Sequence, residues 1–181
     1  MRQSVHDTVA LLGRTPAALT ALLSDLPETW TLRNEGEGTW TVFDIVGHLV
    51  HGERTDWMVR TRHILECGES SPFAPFDRQG HIRGIEGKKL EQLLKEFGEL
   101  RDANLKELRA LDLRDVDLDR RGKHPALGVV TLSELLATWA AHDLTHLHQI
   151  SRVMAHQYRN AVGPWSRFLG VLQCAGHSSA S

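Results

Sequence analysis

His142 and His146 are the residues of this chain whose type and spacing most directly suggest chemistry. They lie four positions apart in a segment that reads as helix, so their side chains fall about 40° apart on one helical face. Two neutral imidazoles in that arrangement can bind one metal ion. Such a pair also occurs in protein cores, with both rings satisfied by hydrogen bonds, so it does not establish a metal site alone. A third histidine is needed from elsewhere in the chain.

The third histidine is expected on an earlier helix, where His48 and His51 are both candidates. Their side chains point about 60° apart, and helical geometry alone does not choose between them. Gly52, one turn beyond His48, has no side chain and leaves room beside that ring. His124 stands in a turn just before the helix of His142 and could line the same cleft, although a hydrogen bond within its own loop is the simpler expectation.

Three neutral imidazoles would leave a bound divalent ion with its full charge and at least one open coordination position. Three protein ligands plus an open position are typical of catalytic metal sites, whereas structural zinc sites are usually closed by four ligands. Such an ion can activate water or lower the pKa of a thiol. Imidazole binds zinc, nickel, copper and iron alike, so the ligands do not identify the metal. Asp44, Asp143 and Gln149 are candidates to orient the rings.

Hydrophobic periodicity predicts four long helices and a shorter fifth that would position these side chains. Pro16 is expected to kink or split the first helix, and Thr131 with Glu134 forms a capping box at the start of the fourth. We therefore predict an all-α protein, an up-down four-helix bundle with crossover loops and a short C-terminal helix. A long loop is expected at residues 67–87, a short hairpin near 121–130, and helices at 4–26, 42–66, 88–111, 131–156 and 165–174.

Composition restricts the classes of function. The 181 residues are expected to form one domain over residues 1–175, followed by a disordered tail at 176–181. A net charge of −2 gives no basic field for nucleic acid, and no apolar run is long enough to span a membrane. Cys67 and Cys174 lack CxxC spacing and are expected to be free thiols in a reducing compartment. Because the N-terminus makes a poor signal peptide, a cytoplasmic location is expected.

Several motifs occur in an order and spacing that resemble the DinB superfamily of YfiT-like bacterial bundle proteins. These are Gly47-His-Leu-Val-His-Gly-Glu53 continuing to Trp57, the turn His124-Pro-Ala-Leu-Gly128, and His142-Asp-Leu-Thr-His146-Leu-His-Gln149. The resemblance covers nearly the whole chain. It implies a four-helix bundle that commonly forms dimers and binds one divalent metal through three histidines. Carried over to this sequence, the ligands are His48, His142 and His146, with His51 and His148 as extra histidines beside them.

The resemblance also implies an activity. Characterised members include thiol-dependent transferases and isomerases that use a low-molecular-weight thiol such as mycothiol or bacillithiol. The leading hypothesis is therefore a homodimeric, metal-dependent enzyme with zinc or nickel, acting on a small molecule as a thiol-dependent transferase or isomerase or as a hydrolase.

Two alternatives make different predictions. A non-catalytic metal-binding stress or scaffold protein predicts that His51 or His124 closes the coordination sphere, or that tryptophans and leucines fill the cleft. A dimeric bundle with a vestigial site predicts that substitution of His146 changes only stability.

Two further sets of residues have open roles. Glu53 could accept hydrogen bonds in the core or act as an acid or base, and the core role is the simpler expectation. Four arginines near or in the long loop could bind an anionic substrate, whereas a solvated surface is the default; they are Arg60, Arg62, Arg78 and Arg83.

Overall fold

The computed structural model describes residues 4–174, and over that range the chain is an all-α bundle with one small hairpin. The strands are β1 (Arg121–His124) and β2 (Gly128–Thr131), and two short 3-10 segments follow at Gly163–Phe168 and Gly170–Leu172. The helices are α1 (Val5–Leu12), α2 (Thr15–Leu23), α3 (Glu28–Thr31), α4 (Val42–Thr55), α5 (Trp57–Cys67), α6 (Gly80–Ile85), α7 (Leu90–Ala110), α8 (Asp115–Leu118) and α9 (Leu132–His156).

The predicted four-helix bundle is confirmed, with two of its members interrupted. The first bundle helix splits into α1 and α2 because Pro16 is accommodated in the first turn of a helix but not in its interior. The second splits into α4 and α5 at Asp56, whose φ of −117° and ψ of −73° depart from helical values. Neither proline nor glycine stands next to Asp56, so the sequence contains no local signal for this second break. Helices α7 and α9 complete the bundle without interruption.

Two apolar clusters form the core, one towards each end of the bundle. One contains Leu12, Leu105 and Trp139, and the other contains Leu19, Phe97 and Ile150. Between them, at one level of the bundle, lie four buried polar residues, which we call the polar layer: Thr15, Glu53, Arg101 and Asp143. Each of the four bundle helices therefore contributes one residue to the polar layer.

The long loop before α7 is held against the bundle at two points. Phe73 is buried and its backbone N–H donates to the carbonyl of Lys123 in β1 at 2.8 Å. Gly122 makes this contact possible, because a Cβ there would lie 2.9 Å from the Phe73 ring. Helix α6, which the sequence did not predict, packs on α4 where Gly80 meets the ring of His51. The loop is therefore a fixed part of the fold.

The end of the described chain differs from the prediction. A helix was expected at residues 165–174, whereas the structure has two 3-10 segments with Gly163 and Gly170 at their first positions. Glycine lowers helix propensity and Pro164 removes an amide donor, so a continuous α-helical hydrogen-bond ladder does not form. The tail predicted at 176–181 lies outside the described residues. Within residues 4–174, none of the helices combines the length and the apolar character needed to cross a bilayer.

Candidate metal centre

Three histidine side chains converge where α4 and α9 face each other. The Nε2 atom of His142 lies 3.1 Å from Nε2 of His48 and 3.1 Å from Nε2 of His146. One potential ligand nitrogen from each ring lies within 4.8 Å of the other two. His48 and His146 are buried and His142 is half-buried. The structure thus places together the three residues that the sequence and the resemblance selected.

Local sequence fixes where both helices begin. Thr41 and Asp44 form a reciprocal capping box at the start of α4, and Thr131 and Glu134 form another at the start of α9. Each box satisfies backbone N–H groups that a helix start would otherwise leave without partners. The β hairpin ends at Thr131, so α9 starts directly from a hydrogen-bonded strand. These caps set the start of the helices that carry the histidines.

The three rings are held in the neutral state. Burial is the main cause, since it lowers the pKa of His48 to about 2 and that of His142 to about 3, and it also lowers the pKa of His146. The neighbouring imidazoles add to the effect on His48 and His142. Nδ1 of His146 donates to Oε1 of Gln149 at 2.8 Å, so its proton is on Nδ1 and Nε2 presents a lone pair towards the other two rings.

The arrangement fits a divalent ion better than it fits hydrogen bonding alone. A neutral imidazole Nε2 has either one hydrogen or one lone pair, so that of His142 satisfies only one of its two neighbours. Ligand nitrogens at tetrahedral angles around zinc are about 3.3 Å apart, given zinc–nitrogen bonds of about 2.0–2.1 Å. The two observed separations of 3.1 Å are close to that value. Metal binding by these residues stays a prediction, and the donor set is suited to it.

The other predicted histidines stand outside the cluster. His51 packs against Phe76, with its ring 5.0 Å away. His124 accepts hydrogen bonds at Nδ1 from the backbone N–H groups of Ala126 and Leu127, both at 3.1 Å. It also lines the cavity described below, so both roles considered for it occur together. His148 is exposed.

Two residues near the cluster were missed by sequence reasoning. The ring of Trp40 lies 4.9 Å from that of His48 and 4.8 Å from that of His81. His81 is buried, and its Nδ1 donates to the carbonyl of Arg78 at 3.1 Å. Neither residue lies on a helix with a ligand position, and His81 belongs to the unpredicted helix α6. No spacing signal in the sequence therefore pointed to them.

Of the three residues expected to orient the rings, one contacts a candidate ligand. Gln149 bonds to His146, whereas Asp44 is occupied by the cap of α4. Asp143 instead accepts from Arg101 at 2.6 and 2.9 Å and from Thr15 at 2.5 Å. Asp143 directly follows His142 in sequence, but its carboxylate bonds to Arg101 and Thr15 and to neither ring of the candidate pair on α9.

The polar layer joins the helices that carry the histidines. Arg101 of α7 is fully buried and donates to Glu53 of α4 at 2.8 Å as well as to Asp143 of α9. Glu53 also accepts from Trp139 Nε1 at 2.9 Å and from Asn104 at 2.9 Å. The expected core role of Glu53 is therefore what the structure shows. One arginine connects α4, α7 and α9 next to the histidine cluster.

A cavity of about 560 Å³ opens beside the three histidines, and all three line it. Its walls are mainly apolar and include Trp57, Phe73, Phe76 and Leu135. Tryptophans and leucines line the cleft but do not fill it. A cluster of protein ligands with open space beside it is the arrangement that substrate access to a metal requires.

Comparisons with known proteins bear on the fold and the family. The family model described as the DinB superfamily matches residues 11–150 of the chain. Among solved structures, the chain is similar to YfiT from Bacillus subtilis, described as a "probable metal-dependent hydrolase with an unusual four-helix bundle topology". The two share 22% identity, with a TM-score of 0.69 over 89% of this chain and 93% of that chain. No curated protein sequence matches the chain.

Proposed function

This chain belongs to the DinB superfamily, and on that premise we propose that it is a metal-dependent enzyme whose divalent ion is held by His48, His142 and His146. The observation that carries the proposal is the convergence of three neutral imidazoles, two buried and one half-buried, on the wall of an open cavity. Zinc and nickel, both of which accept imidazole ligands, are the metals we propose. A bound ion of this kind would supply Lewis-acid activation of a small nucleophile, water or a thiol, at neutral pH.

The residues of the chain perform the remaining tasks. Gln149 fixes the tautomer of His146 so that Nε2 is available as a ligand. Trp40 packs against His48 and limits the rotation of that ring. Trp57 and Phe73 give the cavity an apolar wall beside the histidines, on which an apolar part of a substrate would pack. We propose hydrolysis of a small molecule as the reaction, because YfiT, of the same fold, is described as a probable hydrolase.

Thiol transfer is the second candidate, and the space beside the histidines favours it as much as hydrolysis. The non-catalytic alternative predicted either that His51 or His124 closes the coordination sphere or that tryptophans and leucines fill the cleft. Neither histidine belongs to the cluster, and the cleft is open. His51 packs on Phe76, and Nδ1 of His124 is occupied by its own loop. We therefore propose an enzyme rather than a metal-storage or scaffold protein.

Metal content, measured by elemental analysis on untagged protein, tests the ligand set. We expect about one divalent ion per chain in the wild type, loss of the ion in His146→Ala, and retention in the matched control His148→Ala, an exposed position on the same helix. A wild type that takes up neither zinc nor nickel on reconstitution would contradict the proposal.

Two probe reactions then separate the candidate activities. Metal-loaded protein that hydrolyses 4-nitrophenyl acetate without a thiol supports a hydrolase. Protein that accelerates only the reaction of 1-chloro-2,4-dinitrobenzene with N-acetylcysteine supports a transferase. In both assays the His146→Ala variant should fall to the uncatalysed rate.

A further inference from the structure

The cavity extends beyond the histidine cluster along α4 and α5. Along α4 and α5, the positions His48, Gly52, Asp56 and Arg60 recur every four residues, and all four line the cavity. A helical rise of about 1.5 Å per residue places the backbone of Asp56 about 12 Å from that of His48 along the helix axis. Gly52 has no side chain, so the space between these two residues stays open. Asp56 and Arg60 therefore line a part of the cavity away from the histidine cluster, and we call that part the far end.

Arg60 brings a partly used guanidinium to this far end. Its Nε pairs with Oδ1 of Asp56 at 2.5 Å, and its Cζ lies 5.3 Å from the centre of the Phe73 ring. Its side chain is only 12% exposed. Among the described residues, no protein atom accepts a hydrogen bond from its two terminal NH₂ groups. Packing and the ion pair thus hold the guanidinium in place while leaving donors available to a ligand.

His124 adds a donor of fixed tautomer at the same end. Because its Nδ1 accepts two backbone N–H groups, the proton of the neutral ring is on Nε2. Burial and the charge of Arg60 lower the pKa of His124, so the ring is neutral at pH 7. Its ring lies 6.1 Å from that of Phe73, the same ring that supports Arg60. Both donors are thus held around one aromatic side chain.

The carboxylates on the wall already have partners. Asp56 is paired with Arg60, and Glu134 accepts the N–H and hydroxyl of Thr131 in the cap of α9. These two negative charges make the end a poor match for a doubly charged phosphate. A singly charged, planar carboxylate matches the guanidinium geometry and adds less repulsion.

From this placement we propose that the far end of the cavity binds the carboxylate of the substrate, through Arg60 and the Nε2–H of His124. The substrate class is a small carboxylic acid with an apolar or aromatic middle and its reactive group at the opposite end. The apolar middle packs on Trp57, Phe73 and Leu135. The inference rests on the proposed function for the reactive end, while the carboxylate end is testable without any metal.

The first experiment measures binding of a matched pair, 4-phenylbutyrate and 4-phenylbutyramide, to metal-free protein by calorimetry. Without an ion, the carboxylate has no metal to bind at the histidines. We expect wild-type protein to bind the acid about tenfold more tightly than the amide, because a charge-assisted hydrogen bond is worth about 1.4 kcal/mol or more. Arg60→Gln should remove this preference and His124→Gln should reduce it. Arg62→Gln, whose arginine pairs with Glu107 outside the cavity, should retain it.

Equal binding of acid and amide by the wild type, or a preference that survives in both Arg60→Gln and His124→Gln, would overturn the proposal. The second variant also keeps the test decisive if Arg60→Gln fails to fold.

A second experiment with zinc-loaded protein separates this inference from the proposed function. Acetohydroxamate tests binding to the metal alone. Suberic acid monohydroxamate tests binding at the metal and at the carboxylate end together, and its methyl ester is the control that lacks the carboxylate. Failure of acetohydroxamate to bind, together with an intact preference for phenylbutyrate, would contradict the metal site and leave the carboxylate end supported. If acetohydroxamate binds, but suberic acid monohydroxamate and its methyl ester bind with equal affinity, the result would overturn the carboxylate end and leave the metal site in place.

Discussion

Substitution of Arg101 by methionine tests whether the polar layer holds the bundle together. Methionine has a similar length and an apolar side chain, so the change removes the guanidinium with little loss of volume. Arg101 is fully buried and donates to two carboxylates and to the carbonyl of Leu12. The variant therefore leaves two buried negative charges that repel each other with no cation between them.

The expected cost is large because the partners stay behind. Breaking a buried ion pair by removing one partner costs about 3–5 kcal/mol. Asp143 keeps only the hydrogen bond from Thr15, whereas Glu53 keeps those from Trp139 and Asn104. We thus expect Arg101→Met to lower the free energy of unfolding by about 3–5 kcal/mol, with Asp143 as the main source of the penalty.

Urea unfolding, followed by circular dichroism, measures this cost. A second substitution in the Arg101→Met background identifies its source. Asp143→Asn removes the less supported charge and should recover about 1–2 kcal/mol, on the scale of a buried polar group left without partners. Glu53→Gln should recover less, because Glu53 keeps more hydrogen bonds. Arg62→Met is the matched control, since Arg62 forms a half-exposed pair with Glu107 and should cost about 0–1 kcal/mol.

Two results would refute this reasoning. One is an Arg101→Met variant no less stable than Arg62→Met. The other is further destabilisation when Asp143→Asn is added to Arg101→Met, since neutralising a stranded charge must not increase the penalty.

Four other outcomes follow from the structure. Gln149→Ala should weaken zinc binding about 10–100-fold by freeing the His146 ring, and an unchanged affinity in a chelator competition would contradict that role. His51→Gln should retain full metal content, and its loss on elemental analysis would mean that the third ligand is misassigned. Gly122→Ala should lower the free energy of unfolding by about 1–3 kcal/mol, since the new methyl group meets the Phe73 ring; a neutral effect in urea would show that the loop is held more loosely. Zinc at 100 times its dissociation constant should add about 2.7 kcal/mol of stability, seen as a rise in melting temperature that EDTA reverses and that His146→Ala lacks.

The sequence predicted the parts of the site that depend on a single helix. The four-residue spacing of His142 and His146 puts both on one face, and the structure has them there. The choice between His48 and His51 depends on how α4 is rotated about its axis relative to α9, and hydrophobic periodicity does not determine that rotation. The resemblance supplied that choice, and the structure brings His48, not His51, to the pair.

The interactions that join distant parts of the chain could not be predicted in the same way. The sequence made Asp143 a candidate to orient the rings, whereas its partner Arg101 is 42 residues away on another helix. The break at Asp56 and the helix α6 depend on tertiary contacts and carry no strong local signal. At the C-terminal end, the sequence predicted a helix at residues 165–174, and the structure differs in having 3-10 segments there.

The polar layer has a consequence for how the bundle helices are aligned along their length. Two clusters of leucine, isoleucine and valine would tolerate a helix that slides by one turn, about 5.4 Å, because apolar contacts are not directional. Such a slide would carry Glu53 or Asp143 into an apolar cluster and away from Arg101. A single buried charge network therefore excludes the shifted packings that the apolar residues alone would permit. The spacing from Glu53 to His48 on α4, and the adjacency of Asp143 and His142 on α9, then bring the imidazoles level with one another. Deletion of a residue between His48 and Glu53, or insertion of one between His142 and Asp143, would separate them.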